Sequence, residues 1–503
     1  MTHRYLRGAG AGIAAAAAAV GVSELAAGFV RPESAPVAAI GAAAIRLTPA
    51  AVKDFAVATF GTSDKTALLV GIYLVLALAA AGVGVLAGRY RRVGALCVAG
   101  FGALGVAAAV TRPDAGMLDP LPSVLAGAVG VGVLLVLLRP PSELSPAGYE
   151  RRRFLWLAGG SVVAAAGLGY GGRALQHSRF AAARSRADVT IPRPASPAPP
   201  VPAGAELDVP GLAPWRTSNA TFYRIDTALT IPQVTAEGWQ LRIHGRVARP
   251  LTLNYRQLLA RPLVERDITL CCVSNPVGGP YIGNARWIGV RLADLLREAG
   301  VDDAADQLVS RSADGMTIGT PTKTVLDGRD ALLAVAMNGE PLPVKHGFPV
   351  RMVVPGLYGY VSACKWLVDL ELTTFADYDA YWVPRGYSAR APVKTESRID
   401  TPRDGTSKAA GRVQVAGVAW AQHTGIARVE VQVDDGAWHD ATLADEPTAD
   451  TWRQWVYGWD AAPGTHVLRV RATDRSGYRQ TPEQVGEAPN GATGWHQVTV
   501  TIH

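Results

Sequence analysis

Two adjacent thiols, Cys271 and Cys272, close an apolar run that begins at Thr269 and passes through Val273-Ser274-Asn275 into the flexible turn Gly278-Gly279-Pro280. A thiolate at a strand end can ligate a metal, and a buried thiol can equally be packed as a small hydrophobe. The chain has four cysteines, Cys97, Cys271, Cys272 and Cys364, and no C-x-x-C pair among them. That spacing excludes a zinc ribbon, a thioredoxin-type dithiol and a C-x-x-C-H haem attachment. Neighbours on a strand point to opposite faces, which disfavours a disulfide between Cys271 and Cys272. Dinucleotide and flavin fingerprints and iron–sulfur cysteine spacings are missing as well, so no haem, flavin, NAD or iron–sulfur centre is expected.

Further runs follow in a fixed order: Met337-Asn338-Gly339-Glu340-Pro341-Leu342-Pro343, then His346-Gly347-Phe348-Pro349-Val350-Arg351-Met352-Val353-Val354-Pro355-Gly356, then Lys365-Trp366-Leu367. Together with the cysteine strand, they resemble the sulfite oxidase superfamily of molybdopterin enzymes over roughly residues 215–503, and within it the bacterial membrane-anchored or exported members. The run Asn219 to Thr227 looks like the segment that opens the cofactor site in those members. The resemblance implies a molybdenum held by a pterin dithiolene and one cysteine thiolate. The family pattern Thr-Leu-x-Cys-x-x-Asn falls on Thr269 to Asn275 and puts the ligand at Cys272, with Cys271 in the variable position.

The same resemblance assigns cofactor contacts to Tyr223, Arg224, Cys272, Ser312, His346, Arg351, Ala363, Cys364 and Lys365. A pterin phosphate needs fixed donors. Arg351 offers a planar fork, His346 a further donor and Lys365 a point charge, all beside turns whose backbone N–H groups can face an anion.

Sulfite oxidases gather their dianionic substrate with arginines, and here the position after the strand asparagine reads Pro276-Val277. The first-segment region reads Tyr223-Arg224-Ile225, and the nearest counterpart run in the C-terminal part is Trp452-Arg453-Gln454-Trp455-Val456-Tyr457. With that cluster incomplete, Cys272, Arg224 and Arg286 are the catalytic candidates, and Tyr281, Tyr358 and Tyr360 are candidates to line a different pocket. The expected activity is two-electron oxygen-atom transfer on a small sulfur or nitrogen oxo compound, with electrons passing to an external cytochrome or quinone-linked partner. Two alternatives are a methionine-sulfoxide-type S-oxide reductase and a cofactor-free membrane-anchored scaffold.

The elements that would position these residues follow from composition. Residues 66–88, 93–111, 120–138 and 154–172 carry no charge, and 8–30 carries only Glu24, so about five transmembrane helices are expected within residues 1–175. The apolar stretch 35–47 is too short to span and is expected to be a loop or interfacial segment. Residues 1–175 hold 15 of the 49 basic and 8 of the 42 acidic side chains, leaving 34 of each beyond, so the net +7 lies entirely in the first third. That distribution argues against nucleic-acid binding. It predicts instead a multi-pass protein of the cell membrane, with Arg4, Arg7, Arg89, Arg91, Arg92, Arg139 and Arg151 to Arg153 on the cytoplasmic side and the C-terminal part extracytoplasmic. Arg151-Arg152-Arg153-Phe154-Leu155 resembles a twin-arginine export signal and is equally an ordinary positive-inside cluster. Residues 4–176 contain no histidine, so the spans hold no bis-histidine haem site, and the region reads as an anchor.

A proline-rich linker is expected at 176–214 and an α+β molybdopterin domain at 215–390. An all-β immunoglobulin-like sandwich, implied to be a homodimerisation module, is expected at 391–503. Strands are predicted at Thr269 to Val273, Val350 to Val354 and Trp366 to Leu372, and helices at Tyr255 to Ala260 and Val290 to Ala299.

Overall fold

A computed structural model describes residues 2–48, 52, 64–112, 115–139, 149–179, 182–228 and 230–503. The chain divides into two compact units, Met1–Ala181 with Thr227–Gln233, and Ala182–Asp226 with Val234–His503.

The first unit is helical: Thr2–Ala27, Pro36–Leu47, Asp64–Arg89, Arg91–Val110, Leu121–Leu137 and Tyr149–Arg179. Four of these helices are long and apolar enough to cross a membrane. Leu121–Leu137, at 17 residues, rises about 25 Å and falls short of a hydrocarbon core of about 30 Å. The stretch read as a loop at 35–47 is a 12-residue helix. Pro36 opens it, where proline's missing N–H costs nothing, and Ala39 packs on Ala108 and Ala109. Small residues let the backbones approach closely: a Cβ at Gly12 would lie 2.8 Å from the Ala80 carbonyl carbon, and one at Gly21 2.8 Å from Ala165 Cα. Arg7 donates to the Leu137 and Arg139 carbonyls, both at 3.4 Å, and lies over the Phe154 ring, while Arg91 donates to the Leu135 carbonyl at 2.9 Å. At the opposite end Arg31 pairs with Asp119, Arg112 donates to the Glu33 carbonyl, and Gln176 donates to the Glu24 carbonyl.

In the second unit the strands are β1 (Gln240–Gly245), β2 (Leu251–Asn254), β3 (Leu263–Cys271), β4 (Ile282–Arg291), β5 (Gln307–Ser312), β6 (Thr317–Pro321), β7 (Leu332–Met337), β8 (Glu340–Pro341), β9 (Arg351–Val353) and β10 (Leu367–Thr373). They form one sheet in the order β3-β4-β7-β8, with β9 also on β7, and a second in the order β2-β1-β10-β5-β6. The uninterrupted run Leu332-Leu333-Ala334-Val335-Ala336-Met337 is buried throughout, as expected of a central strand covered on both faces. Helix Leu292–Ala299 buries Leu292, Leu295, Leu296 and Ala299, one face of a 3.6-residue period, and Gly300 ends it at φ 68°.

Where the β4–β7 register shifts between Ile288 and Gly289, with Val335 the extra residue on β7, a Cβ on Gly289 would lie 2.7 Å from Ala334 Cα. Gly289→Ala is expected to cost roughly 3 kcal/mol, because neither strand can shift without breaking the ladder. The check is the unfolding midpoint of the detergent-solubilised chain. An unchanged midpoint would show that β7 yields freely.

The remaining strands are β11 (Glu396–Thr401), β12 (Thr406–Lys408), β13 (Gly411–Trp420), β14 (Ile426–Val433), β15 (Trp438–Asp440), β16 (Thr442–Leu443), β17 (Arg453–Ala461), β18 (Gly464–Asp474) and β19 (His496–Ile502). They build two sheets, β11-β13-β17-β16 and β12-β19-β18-β14-β15. Val413, Val415 and Trp455 of one pack against Val429, Leu468 and Val498 of the other. Alternation along the strands produces this two-faced core.

The proline-rich run is not a free spacer. Ala195 donates to the Leu263 carbonyl at 2.8 Å, Glu265 donates to the Ser196 carbonyl at 2.8 Å, and Leu207 donates to Gln454 Oε1 at 2.7 Å. Proline keeps the backbone extended, and the intervening Ala and Ser supply the groups that satisfy the edge of β3.

Candidate active site

Strand β3 ends on Cys271, and the chain then turns through 272–281 into β4, with Cys272 the first residue of the turn. The turn is held at its root: Cys272 donates its N–H to the Tyr281 carbonyl at 2.9 Å, and Tyr281 donates back to Asn275 Oδ1 at 2.7 Å. Both thiols are buried and all four cysteines are free. Strand alternation gives them different neighbours. Cys271 lies near Glu396 and Arg398 of the sandwich, and burial pushes its thiol well up. Cys272 is also raised by burial, but hydrogen bonds from the Ser274 N–H and hydroxyl and the charge of Lys365 act in the opposite direction. Of the two, Cys272 is the one surrounded by groups that favour a thiolate.

Around Cys272 the structure gathers residues from four distant segments. Tyr223 is coupled electrostatically to both thiols and to Arg351, and burial raises its hydroxyl well above the usual range. A Cβ on Gly359 would sit 3.9 Å from Tyr223 Oη, 3.6 Å from the Cys271 carbonyl oxygen and 3.8 Å from Ala363 Cβ, so these groups converge. Arg351 is 5% exposed, donates Nη1 to the His346 carbonyl at 3.1 Å, lies 5.0 Å above the Trp287 ring, and has no hydrogen-bond partner for Nε among the described residues. Burial pulls its pKa down to about 10. Lys365 donates to the Ile225 carbonyl at 3.0 Å and to Asp226 Oδ2 at 2.9 Å, and burial brings it down to about 8 despite that carboxylate.

Local backbone geometry fixes these cations. Gly347, at φ 112°, occupies a point where a Cβ would meet Arg351 Cβ and Lys365 Cβ at 3.1 Å each. Trp366 takes the left-handed φ of 49° that side chains avoid, anchored by its Nε1 donating to the Val344 carbonyl at 2.8 Å. Strain of this kind persists only where the surroundings dictate it. Ser312 ends β5 opposite Leu367, and the next residue, Ala313, donates to the Trp366 carbonyl at 2.8 Å. Cys364 is buried beside it with its thiol pushed up to about 12, so it is a packed neutral group.

Arg351, Lys365 and Arg224 thus stand close enough to influence one another, with Asp226 bridging Arg224 Nε at 2.7 Å and Lys365 Nζ at 2.9 Å. Of these, Arg351 is buried, Lys365 keeps 11% of its side chain exposed and Arg224 is exposed; two largely buried cations, one with a donor left unpartnered among the described residues, are a poor arrangement for stability and a good one for an anion. A thiol near Lys365 together with such a cradle fits a pterin that is anionic at one end and coordinates its metal at the other.

Not every expected residue takes the expected part. His346 gives no donor to an anion: its Nε2 lies 3.1 Å from the Asn219 carbonyl, so that nitrogen carries the proton, and burial beside Arg351 lowers the pKa to about 3. The imidazole is neutral and its single N–H is spent on the first cofactor-contacting segment. Arg286 is not brought to the thiol. It sits on β4 opposite Asp267, whose carboxylate takes its Nε at 3.0 Å and its Nη2 at 2.6 Å. Arg453 is spent inside the sandwich on the Ala444 and Ile426 carbonyls. Arg398 is the sandwich arginine that reaches the cysteine turn, donating to the Gly279 carbonyl at 2.8 Å. Tyr360 donates its hydroxyl to the Ser388 carbonyl at 2.7 Å.

Asp226, Asp314, Ser274, Arg398 and Glu396 were not singled out by sequence reasoning. Asp226 lay inside the matched segment, and Ser274 follows the ligand cysteine by two, but the others reach the site only by folding. Glu396, 6% exposed, accepts from Gln480 Nε2 at 2.8 Å, and burial raises its carboxyl to about 8. A carboxyl whose folded pKa is raised contributes stability that is complete below its unfolded pKa and disappears as pH climbs through the folded one. Between about pH 4.5 and 8 the chain therefore loses stability through Glu396, by roughly 2 kcal/mol or more. Glu396→Gln is expected to remove that loss. Its unfolding midpoint, compared with that of the parent, should be near equal at pH 5 and higher at pH 8. A difference that does not change with pH would refute the assignment.

The comparisons with known proteins agree with this geometry. The family described as "Oxidoreductase molybdopterin binding domain" matches residues 228–382. Mitochondrial sulfite oxidase of Homo sapiens is 29% identical over 341 residues, covering 57% of this chain and 62% of that protein. The Drosophila melanogaster sulfite oxidase is 30% identical over 367 residues, 61% of this chain and 63% of that protein. The chain thus spans about three fifths of the length of these curated relatives. The uncharacterized oxidoreductase YuiH of Bacillus subtilis (strain 168) is 36% identical over 152 residues, 30% of this chain and 73% of that protein. Among solved structures, the sulfane dehydrogenase SoxCD from Paracoccus pantotrophus superposes with a TM-score of 0.51 at 22% identity, covering 58% of this chain and 84% of that one, which shows a shared fold. By its molybdopterin-binding domain and these relatives, the chain belongs to the sulfite oxidase superfamily of molybdopterin oxidoreductases.

Proposed function

We propose that this chain is a membrane-anchored, extracytoplasmic molybdopterin-dependent enzyme that transfers an oxygen atom to or from a small sulfur or nitrogen oxo compound. The observation that carries the reading is the buried Cys272 thiol near Lys365, beside an Arg351 whose Nε has no hydrogen-bond partner among the described residues. When bound, the cofactor supplies two-electron redox chemistry at molybdenum. Cys272 is the thiolate that would hold the metal, and Arg351 and Lys365 would hold the anionic end. Asp226 orients both Arg224 and Lys365 through one carboxylate oxygen. Neutral His346 fixes Asn219, and through it the segment leading to Tyr223. Burial of the Cys272 thiol excludes water from the metal side.

Within this reading an uncharged S-oxide or N-oxide is favoured over sulfite. Arg286, Arg224 and Arg398 are committed to Asp267, Asp226 and Asp400 at 2.6–2.7 Å, so the charge that would gather a dianion is already neutralised. A methionine-sulfoxide-type substrate carries no net demand for such a cluster. The clustering of Arg7, Arg91 and Arg139 at one end of the bundle supports a cytoplasmic N-terminus, and the Arg151 to Leu155 run supports folded export by a twin-arginine route. The two-sheet C-terminal part supports an immunoglobulin-like module, for which homodimerisation is the proposed role.

Two measurements on the purified chain test this: molybdenum per chain, and turnover with sulfite plus an electron acceptor against turnover with methionine sulfoxide plus a reductant. Stoichiometric metal with sulfoxide reduction is expected. A chain without molybdenum from a replete host overturns the enzyme reading, and faster sulfite oxidation overturns the substrate class.

A further inference from the structure

The C-terminal sandwich holds the cysteine strand and its turn at three points. Thr269, three residues before Cys272, donates its N–H to the Asp450 carbonyl at 2.9 Å and accepts the Trp452 N–H on its hydroxyl at 2.8 Å. Arg398 donates to the Gly279 carbonyl at 2.8 Å. The third point is His496, the first residue of β19. Gly278, at φ 74°, has no side chain, and the Cδ2–Nε2 edge of the His496 ring fills the space where a Cβ would stand. The ring is itself locked, because its Nδ1 accepts the Ile399 N–H of β11 at 3.0 Å. A ring nitrogen that accepts carries no proton, so the proton of the neutral imidazole is on Nε2. Burial and the charge of Arg398 lower its pKa to about 4, which keeps the ring neutral beside that cation.

Two adjacent glycines, Gly278 and Gly279, make a turn tip that is conformationally loose on its own. The tip is tied to Cys272 by hydrogen bonds. Gly279 donates to the Pro276 carbonyl at 2.8 Å, and Asn275 donates to the Cys272 carbonyl at 3.1 Å. Asn275 also takes the Tyr281 N–H on its side chain at 2.7 Å, and Cys272 donates to the Tyr281 carbonyl at 2.9 Å. Movement at the tip is therefore carried to Cys272, and a metal ligand tolerates only about 0.5 Å of play.

We propose that the sandwich is a working part of the metal site, with His496 a positioning residue that fixes, through Gly278 and its turn, the direction from which the Cys272 sulfur meets the metal. The inference rests on the molybdopterin reading of the site for its purpose. It gives the C-terminal module a role within one chain, independent of any second copy.

The test uses the full chain and two substitutions that act on the contact from opposite sides. His496→Asn keeps an acceptor near the Nδ1 position for Ile399 and withdraws the ring edge from Gly278. Gly278→Ala leaves His496 in place and pushes a Cβ against it, 2.8 Å from Cγ. In chain expressed without the cofactor, amide hydrogen exchange over residues 273–281 should quicken about tenfold in His496→Asn, while exchange in β14 and β18 stays at the parental rate. In molybdenum-loaded chain both variants should shift the electron paramagnetic resonance lines of the bound metal, and kcat should fall about tenfold with KM within about twofold of the parent. Parental exchange in the turn, or parental resonance lines in both variants, overturns the proposal. A lower unfolding midpoint with turn exchange and resonance unchanged also overturns it, since that is the result of a purely structural contact. Molybdenum per parent chain reports separately on the cofactor reading. A parent chain without the metal overturns that reading, and the exchange measurement still decides whether His496 holds the turn.

Discussion

Cys272→Ser is expected to strip the chain of molybdenum and to lower turnover by more than about a hundredfold, while Cys271→Ser keeps both near parental levels. The two thiols are adjacent and both buried, so burial alone does not separate them. Their surroundings do. Cys272 has the Ser274 donors and the Lys365 charge that stabilise a thiolate, whereas Cys271 faces the carboxyl of Glu396, which opposes one. Serine is close to isosteric and accepts the same hydrogen bonds, but its alcohol stays protonated and binds a high-valent metal poorly. The parent fold should therefore persist, and metal per chain measured by elemental analysis reads the ligand directly. Retention of metal in Cys272→Ser, or its loss in Cys271→Ser alone, would reverse the assignment. If instead Cys272→Ser leaves every phenotype of the chain intact, the scaffold alternative stands in place of the enzyme.

Arg351→Met should move two properties in opposite directions. A guanidinium that is 5% exposed, with no carboxylate partner among the described residues and an orphaned Nε, is an uncompensated buried charge until an anion arrives. Replacing it with an apolar side chain of similar length, packed on the face of Trp287, is expected to stabilise the cofactor-free chain by about 1–3 kcal/mol. The same change would remove the anion contact proposed for Arg351 and should reduce cofactor retention at least about tenfold. Unfolding midpoints of chain expressed without the cofactor, set against molybdenum content of chain expressed with it, show both. A destabilised variant that still retained cofactor would make Arg351 a structural cation and remove it from the cradle.

The ligand strand, the Arg351 strand and the Lys365 turn were recognisable because each is a short continuous run whose residue types are constrained locally. The predicted strands at Thr269 to Val273, Val350 to Val354 and Trp366 to Leu372 correspond to β3, β9 and β10 within one to six residues at their ends. The apolar helices were equally visible, since a hydrocarbon-length segment announces itself by composition. Less visible were the roles of groups whose partners lie far along the chain. Arg286 lies in the right region and is taken by Asp267 across the β3–β4 ladder. His346 matches a family position and spends its N–H on Asn219, 127 residues away. The proline-rich segment has the composition of a spacer, yet its non-proline residues bond the edge of β3.

The sequence by itself determined which segments are apolar enough to span a membrane, where the positive charge lies, and which cysteine, arginine and lysine runs resemble the family's. These are properties of residue type and short spacing. The tertiary structure decided which charges remain uncompensated, because that depends on what folding places beside each one. It ties Arg224 to Asp226, Arg286 to Asp267 and Arg398 to Asp400, and leaves Arg351 Nε buried without a hydrogen-bond partner among the described residues. Burial makes an unsatisfied cation expensive, and only folding places Arg351 beside Lys365 and the Cys272 strand end.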